Sequence, residues 1–189
     1  YSNLNSVTFR STSVYGTLPE FLPSGLTLLS LQHNPQINGT IPSASCGNTN
    51  LKTLQLDNNS LTGPVPLCLF KTQSRTLSAA DNDLDGEMDL TDLRGYMANL
   101  QSSLTVSNNP KLVVKLDDNF CYQTYYTRLE VSSVSLSLGP DGTLPPCLFD
   151  SGSFLQHFAA NGNRINGTVP SLTVDAHDGQ PKVHSLHLD

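Results

Sequence analysis

An acidic segment at residues 81–92 has side chains whose types and spacing suit a hard cation. The residues that could coordinate an ion are Asp81, Asp83, Asp85, Glu87, Asp89 and Asp92. Calcium binds through several oxygen ligands, which carboxylates and backbone carbonyls supply. Gly86 lies in the middle of the segment, where a ligand loop needs a sharp turn. The segment therefore raises the hypothesis of a calcium-dependent binding module.

The order of these residues resembles an EF-hand calcium loop. The twelfth position is Asp92, where most such loops carry a bidentate Glu, although dockerin modules accept Asp there. The sequence contains no second loop of this kind. Leu84 and Met88 also fit a pattern of buried residues that runs through the whole chain. An acidic variant of an ordinary repeat is therefore the favoured interpretation, with calcium as the alternative and no other cofactor expected.

The whole chain is organised by a recurring pattern of leucine, asparagine and glycine. In residues 51–66, LKTLQLDNNSLTGPVP, apolar and polar residues alternate, which predicts a short strand with one buried face. Asn59 follows with an amide that can satisfy backbone groups at the turn, and Gly63 permits a tight bend. One such unit cannot bury its leucines alone. The pattern recurs in about seven copies and the start of an eighth, and residues 155–170 are a second near-complete copy.

This pattern resembles the plant-type leucine-rich repeat family, whose consensus is L-x-x-L-x-L-x-x-N-x-L-x-G-x-I-P. The resemblance covers nearly the whole chain. It implies an α/β repeat solenoid, a right-handed superhelix with a parallel β-sheet on the concave face and irregular or short helical segments on the convex face. It also implies an extracellular recognition module, because family members are mostly receptor ectodomains, receptor-like proteins and cell-wall inhibitor proteins.

The repeats form a single predicted array over residues 1–189, and part of it is duplicated. Repeats two to four resemble repeats five to seven; for example, Asn34-Pro35 recurs 75 residues later as Asn109-Pro110. The chain begins without a Met, and its last repeat is unfinished. We therefore expect a fragment of a longer protein, with any signal peptide, membrane anchor or kinase domain outside it.

The four cysteines occupy equivalent places in the two duplicated blocks. Within the blocks they are 22 and 26 residues apart, which is about one coil. Residues on neighbouring turns lie about 5 Å apart, within the Cα separation that a disulfide tolerates. Of the three possible connectivities, the duplication favours Cys46–Cys68 and Cys121–Cys147. The alternative is four free thiols in a reducing compartment.

Three N-x-S/T triplets offer candidate glycosylation sites at Asn38, Asn58 and Asn166. Asn38 and Asn166 hold the same place in the repeat, between a buried residue and the glycine, where the side chain should face water. Such triplets also arise easily from the repeat pattern itself. Together with paired cysteines they still favour an extracellular or cell-surface location.

Ligands of solenoids usually bind the concave strand face, which here is small and polar. It lacks the clusters of Trp, Tyr and Arg that mark protein interfaces. The candidate ligand-contacting residues are Gln32, Gln55, Asp57, Arg128, Glu130 and His157. The alternative is a solvated sheet face, with the binding surface elsewhere in a longer array.

The composition limits the function classes further. A net charge of −6 without a basic stripe argues against nucleic acid as a partner. The chain has no apolar run of the length that a membrane span needs. No motif presents an acid, a base and a nucleophile together, so an enzyme is not expected. We predict a module that binds a protein, peptide or glycan; the alternative is a structural cell-wall repeat protein without a discrete ligand.

Overall fold

The computed structural model describes residues 3–71, 75–92, 102–122, 126–149, 155–165 and 185–188. Its strands, numbered in chain order, form two parallel sheets. The eight-stranded sheet contains β1 (Ser6–Thr8), β3 (Leu28–Ser30), β5 (Thr53–Gln55), β7 (Thr76–Ser78), β9 (Ser102–Thr105), β11 (Tyr126–Glu130), β13 (His157–Ala159) and β14 (Ser185–His187). The six-stranded sheet contains β2 (Gly16–Thr17), β4 (Ile37–Gly39), β6 (Ser60–Gly63), β8 (Asp83–Asp89), β10 (Lys111–Leu116) and β12 (Ser135–Leu138). Short 3-10 helices follow the second sheet at Ser43–Gly47, Leu67–Lys71, Leu90–Asp92, Asp118–Tyr122 and Pro146–Leu148.

The eight-stranded sheet stacks the repeats in register, because each coil places an apolar residue at the centre of its strand. The residues paired along this central row are Val7, Leu29, Leu54, Leu77, Leu104, Leu129, Phe158 and Leu186. Leu54 and Leu77 are each 3% exposed, and Leu104 is fully buried. Their neighbours in the strands face solvent, as the period of two requires. The predicted leucine-rich repeat solenoid is confirmed.

Asparagines after the first strand of each coil join the coils to one another. The Nδ2 of Asn59 donates to Leu56 O in its own coil at 2.7 Å and to Leu31 O in the preceding coil at 3.0 Å. Its Oδ1 accepts from the backbone N–H of Asn34 at 3.0 Å. The residues that occupy this place are Asn34, Asn59, Asn82, Asn109 and Asn163. In the sixth coil Val134 replaces the asparagine and is 7% exposed.

The six-stranded sheet is a feature that the sequence analysis did not predict, since only irregular or short helical segments were expected there. Four of its strands begin at, contain or end at a glycine with positive φ; Gly63, the last residue of β6, has φ +75°. Leu61, Leu84 and Leu112 point inward and are fully buried. Each of the first six coils thus contains a strand of each sheet and, in several of them, a short 3-10 helix around one core.

A disulfide between Cys46 and Cys68 joins two of the short helices on neighbouring coils, as predicted. The Cα atoms are 5.6 Å apart, and the residues are 22 apart in sequence. Cys147 is also disulfide-bonded. The side chain of its predicted partner, Cys121, lies outside the part of the chain that the structure describes.

Within the described residues, no helix has the length and apolar character needed to cross a membrane.

Candidate ligand-binding face

The solvent side of the eight-stranded sheet is the face on which the sequence analysis placed the candidate ligand residues. Its side chains form rows across the strands because the strands pair in register. One row contains Thr53, Thr76, Ser103, Arg128 and His157. The next contains Gln55, Ser78, Thr105, Glu130, Ala159 and His187. We call this surface the row face.

The first half of the row face is centred on Asp57, which is buried at 8% exposure. Its Oδ2 accepts a hydrogen bond from Gln32 Nε2, and its Oδ1 accepts from Ser78 Oγ at 2.5 Å and from the backbone N–H of Ala80 at 2.9 Å. The structure therefore brings together Gln32 and Asp57, two of the candidate ligand-contacting residues. Both carboxylate oxygens are engaged within the protein, so Asp57 fixes three neighbouring coils relative to one another.

The second half of the row face is centred on Glu130. Its Oε1 forms an ion pair with Arg128 on the same strand and lies 3.0 Å from His157 Nε2 on the next. Its Oε2 accepts from Thr105 Oγ1 at 3.1 Å. The rings of His157 and His187 lie with their centroids 5.7 Å apart. Three strands thus contribute ionisable side chains to one cluster.

The acidic segment of the calcium hypothesis forms β8, an extended strand rather than a loop. Asp83 pairs with Lys111 and Glu87 pairs with Lys115, each at 2.7 Å, and these contacts raise the pKa of both lysines. Leu84, between the acidic residues, is fully buried.

The remaining acidic side chains of the segment point to separate partners. Asp81 accepts from Asn58 and Asn108, and Asp89 accepts from Thr91. The side chain of Asp92 lies outside the described part. Across the described residues, no three His, Cys, Asp or Glu side chains are grouped so as to hold a metal. The structure does not bring the predicted calcium ligands together.

Two of the three candidate glycosylation sites can be located. Asn38 is exposed on β4, on the outer side of the six-stranded sheet, and Thr40 of the same triplet is exposed as well. Asn58 is exposed in a turn with φ +57° and donates to Asp81 Oδ2 at 3.3 Å. Asn166 lies outside the described residues.

The sequence analysis named candidates on the concave face but did not include His187, Thr105 or Ser78 among them. These residues lie on strands adjacent to Glu130, His157 or Asp57, at separations of 21 to 30 residues along the chain. The available signal was the register: residues at the same place in successive repeats should be neighbours. Gln55, another candidate, lies in the same row as Ser78 and is half-buried.

Comparisons with known proteins show what this chain is similar to. No family model matches the chain. It is 31% identical over 179 residues to receptor-like protein 35 of Arabidopsis thaliana, an alignment that covers 92% of this chain and 18% of that protein. The chain therefore spans less than a fifth of the length of this relative.

Solved structures with a similar fold cover nearly the whole chain. A structure titled plant peptide hormone receptor RGFR1 in complex with RGF2 matches with a TM-score of 0.76 and 26% identity, over 99% of this chain and 32% of that one. A plant ice-binding protein matches with a TM-score of 0.74 and 22% identity, over 100% of this chain and 57% of that one, and this likeness concerns the fold alone.

Proposed function

The chain belongs to the plant-type leucine-rich repeat family, and from this premise we propose that it is an extracellular recognition module that binds a peptide or protein ligand on the row face. The row face is the surface where neighbouring coils present side chains in aligned rows. An extended ligand lying across the strands would meet one set of side chains for each coil that it crosses.

The observation that carries this proposal is the in-register row of half-buried polar side chains. Residues such as Thr53, Thr76 and Ser103 are held by a rigid backbone ladder, so little conformational entropy is lost when a ligand binds them. The similarity to a hormone receptor solved with its peptide supports a peptide or protein ligand for this chain too.

Binding rather than catalysis suits the chemistry of the face. In each of its two clusters the central carboxylate is engaged by other groups of the protein. Asp57 accepts from three donors, and Glu130 accepts from Arg128 and Thr105. An acid–base catalyst needs a group within reach of a substrate proton and free to exchange its own. The hydroxyls of Ser78 and Thr105, which donate to these carboxylates, join neighbouring coils to one another.

A matched pair of substitutions tests the binding face. Peptides selected from a display library on the wild-type protein would be measured against Thr53→Arg on β5 and Thr62→Arg on β6 of the other sheet. Both threonines are half-buried. We expect Thr53→Arg to weaken binding at least about tenfold because a long charged side chain blocks the row. Thr62→Arg should leave affinity unchanged; equal losses in the two variants would contradict the proposal.

The extracellular part of the proposal predicts covalent modifications in protein from its native source. Intact mass before and after reduction with alkylation should show four protected cysteines, and glycan removal should lower the mass. Peptide mapping should place a glycan on Asn38, where both Asn38 and Thr40 are exposed. Four free thiols and an unmodified Asn38 would contradict an extracellular location.

A further inference from the structure

The ring of Tyr15 lies on the outer side of the six-stranded sheet, directly before strand β2. It is 79% exposed, the highest value among the large apolar and aromatic side chains of the described residues. Val14 packs partly against the core and Thr17 is exposed, so the alternation of the strand places Tyr15 and Thr17 on the outer side. The tyrosine ring is therefore free to pack against a group that lies on this surface.

Asn38, a candidate glycosylation site, lies on the adjacent strand β4 at a diagonal to Tyr15. Its backbone partner on β2 is Thr17, so Tyr15 lies two residues before that partner. Diagonal neighbours on one face of a sheet are about 7–8 Å apart, a distance that aromatic and long side chains span. Both Asn38 and Tyr15 are exposed on the outer side. A group attached to Asn38 is therefore within reach of the tyrosine ring.

Side chains elsewhere in the six-stranded sheet make contact along this same diagonal. Lys115 forms an ion pair with Glu87 at 2.7 Å, although its backbone partner on β8 is Asp89. Lys111 reaches Asp83 in the same way, also at 2.7 Å. In both pairs a side chain leans back along the strand to the residue two places before its partner, which is the relation that joins the asparagine to the tyrosine.

The atom of Asn38 that would carry a sugar already points along the diagonal. Its Nδ2 donates to Gln36 O at 3.4 Å, which turns the amide back along β4. Gly16 N donates to the same carbonyl at 3.2 Å, so Gln36 lies beside the tyrosine that precedes Gly16. A sugar joined to Nδ2 therefore begins at the level of the Tyr15 ring.

The surroundings of Asn38 leave room for a sugar. Its backbone partners on the two flanking strands are Thr17 and Ser60, which are both short and exposed. One face of the pyranose ring of N-acetylglucosamine presents mainly C–H groups, which pack against an aromatic ring while the hydroxyls stay in water. Tyrosine suits such a contact, because it offers an apolar ring face and keeps its own hydroxyl hydrated.

We propose that Tyr15 is the stacking platform for the first N-acetylglucosamine of a glycan on Asn38. The covalent link keeps the sugar close to the ring, so a weak contact suffices to hold it there. The stacked sugar covers the outer side of β2 and β4, and β2 is the edge strand of the described sheet. This inference rests on the extracellular part of the proposed function and specifies what occupies the outer side of the first two coils.

Nuclear magnetic resonance tests the contact directly. The protein would be secreted from a glycosylating host with labelled tyrosine rings, and its glycans trimmed enzymatically to one N-acetylglucosamine. Sugar signals that disappear in Asn38→Gln belong to this site. We expect nuclear Overhauser effects between these sugar protons and the Tyr15 ring, and an upfield shift of the sugar protons that Tyr15→Ala abolishes and Tyr15→Phe retains. Phe21→Ala, which removes another exposed ring of the first coil, is the matched control and should leave the shift unchanged.

Thermal unfolding measures what the contact contributes to stability. Removing the sugar by Asn38→Gln should lower Tm by about 2 °C or more when Tyr15 is present, because the aromatic contact is lost with it. In a Tyr15→Ala background the same substitution should lower Tm by less than about half as much. A Phe21→Ala background should show the full loss. Equal losses with and without the tyrosine ring contradict the proposal.

The remaining outcomes separate this inference from the proposed function. An Asn38 without a glycan overturns the inference; it leaves the extracellular location standing if four cysteines are protected and contradicts that location if four thiols are free. A dimer in sedimentation that Tyr15→Ala dissociates, with no contact between ring and sugar, assigns the ring to a second copy of the chain and also overturns the inference. Ligand binding on the row face is tested separately by Thr53→Arg.

Discussion

The two parallel sheets are built from the same repeats, but their strands pair differently. In the eight-stranded sheet, residues at the same place in successive repeats are backbone partners, as Leu54 is with Leu77. In the six-stranded sheet the partner lies two residues further on. Leu84 holds the place of Leu61 in the next repeat but pairs with Gly63, and Leu112 holds the place of Leu84 but pairs with Gly86.

The difference shows what a shift of two residues preserves and what it changes. Because side chains alternate with a period of two, the shift leaves the buried residues buried. Outward side chains of equivalent residues, however, are displaced along the strands from one coil to the next. Lys111 has Asp85 as backbone partner, yet it forms its ion pair with Asp83, its own equivalent in the preceding repeat. In the eight-stranded sheet the aligned rows consist of residues at equivalent places in successive repeats, which favours it as the proposed ligand-binding face.

The largest expected loss of stability comes from removing the hydrogen bonds with which Asn109 joins the two sheets. The side chain of Asn109 is fully buried; its Nδ2 donates to Ala79 O after β7, and its Oδ1 accepts from Leu84 N in β8. Asn109→Ala leaves these groups without partners, and we expect a loss of about 4 kcal/mol in unfolding free energy by chemical denaturation. Asn109→Val, which copies Val134 of the sixth coil, is the control for volume. A loss below about 1 kcal/mol in both variants would show that the asparagine ladder does not hold the sheets together.

A glycine pair tests how tightly the coils approach at the six-stranded sheet. Gly63 has φ +75°, and an added Cβ would come within 2.9 Å of Thr40 Cγ2. Gly142 has φ +69°, but nothing lies within 4 Å of its Cβ position. We expect Gly142→Ala to cost about 1 kcal/mol from backbone strain and Gly63→Ala about 2 kcal/mol or more, from strain and crowding together. Equal losses in thermal or chemical unfolding would mean that the close approach relaxes at no cost.

Tyr126 marks a local exception in the eight-stranded sheet. It pairs with Ser102, but the register shifts before Arg128, and its buried hydroxyl has no hydrogen-bond partner among the residues that the structure describes. Burial raises the pKa of Tyr126 well above its ordinary value. Since Tyr126→Phe removes an unsatisfied group and keeps the ring, we expect it to stabilise the fold by about 1 kcal/mol.

The same substitution should change the response to alkali. The unfolded tyrosine ionises above about pH 10 while the folded one stays neutral, so the wild type loses about 1.4 kcal/mol per pH unit there from this residue. The free energy of unfolding, measured between about pH 9 and pH 11.5, should fall less steeply with pH for Tyr126→Phe than for the wild type. Parallel curves for the two proteins would mean that the hydroxyl ionises as readily in the folded as in the unfolded protein, so that burial does not protect it.

The smallest expected effect concerns the ion pairs across β8 and β10. Lys111 and Asp83 are largely exposed, with side-chain exposures of 61% and 50%. Contact with Asp83 raises the pKa of Lys111, so any stabilisation is present at neutral pH and is lost only as the pH rises through that raised value. We expect Lys111→Ala to alter unfolding in denaturant barely above experimental error, and less at high salt. A large loss that is insensitive to salt would show that this sheet depends on its charges.

Much of the fold was predictable, because the residues of one repeat indicate its strand, its turn and its bend. The alternation in residues 51–66 predicts the strand, Asn59 the turn and Gly63 the bend, and each recurrence adds a coil of the same kind. The pairing of Cys46 with Cys68 followed from their spacing of one coil and is present. The second sheet was not predictable in this way, because its strands pair two residues out of phase, and such a shift leaves no periodic signal in a single repeat.

The sequence by itself determined which residues face the core, since burial follows from a period of two within each strand. Only the tertiary structure decided which outward side chains meet, because that depends on the register between coils of unequal length. It placed His187 beside His157, joined Thr105 to Glu130, and dispersed the acidic residues of β8 along an extended strand instead of gathering them in a loop. Contacts between residues more than 20 positions apart arise when coils stack. The pattern of residues in the sequence does not specify the register in which one coil stacks on the next.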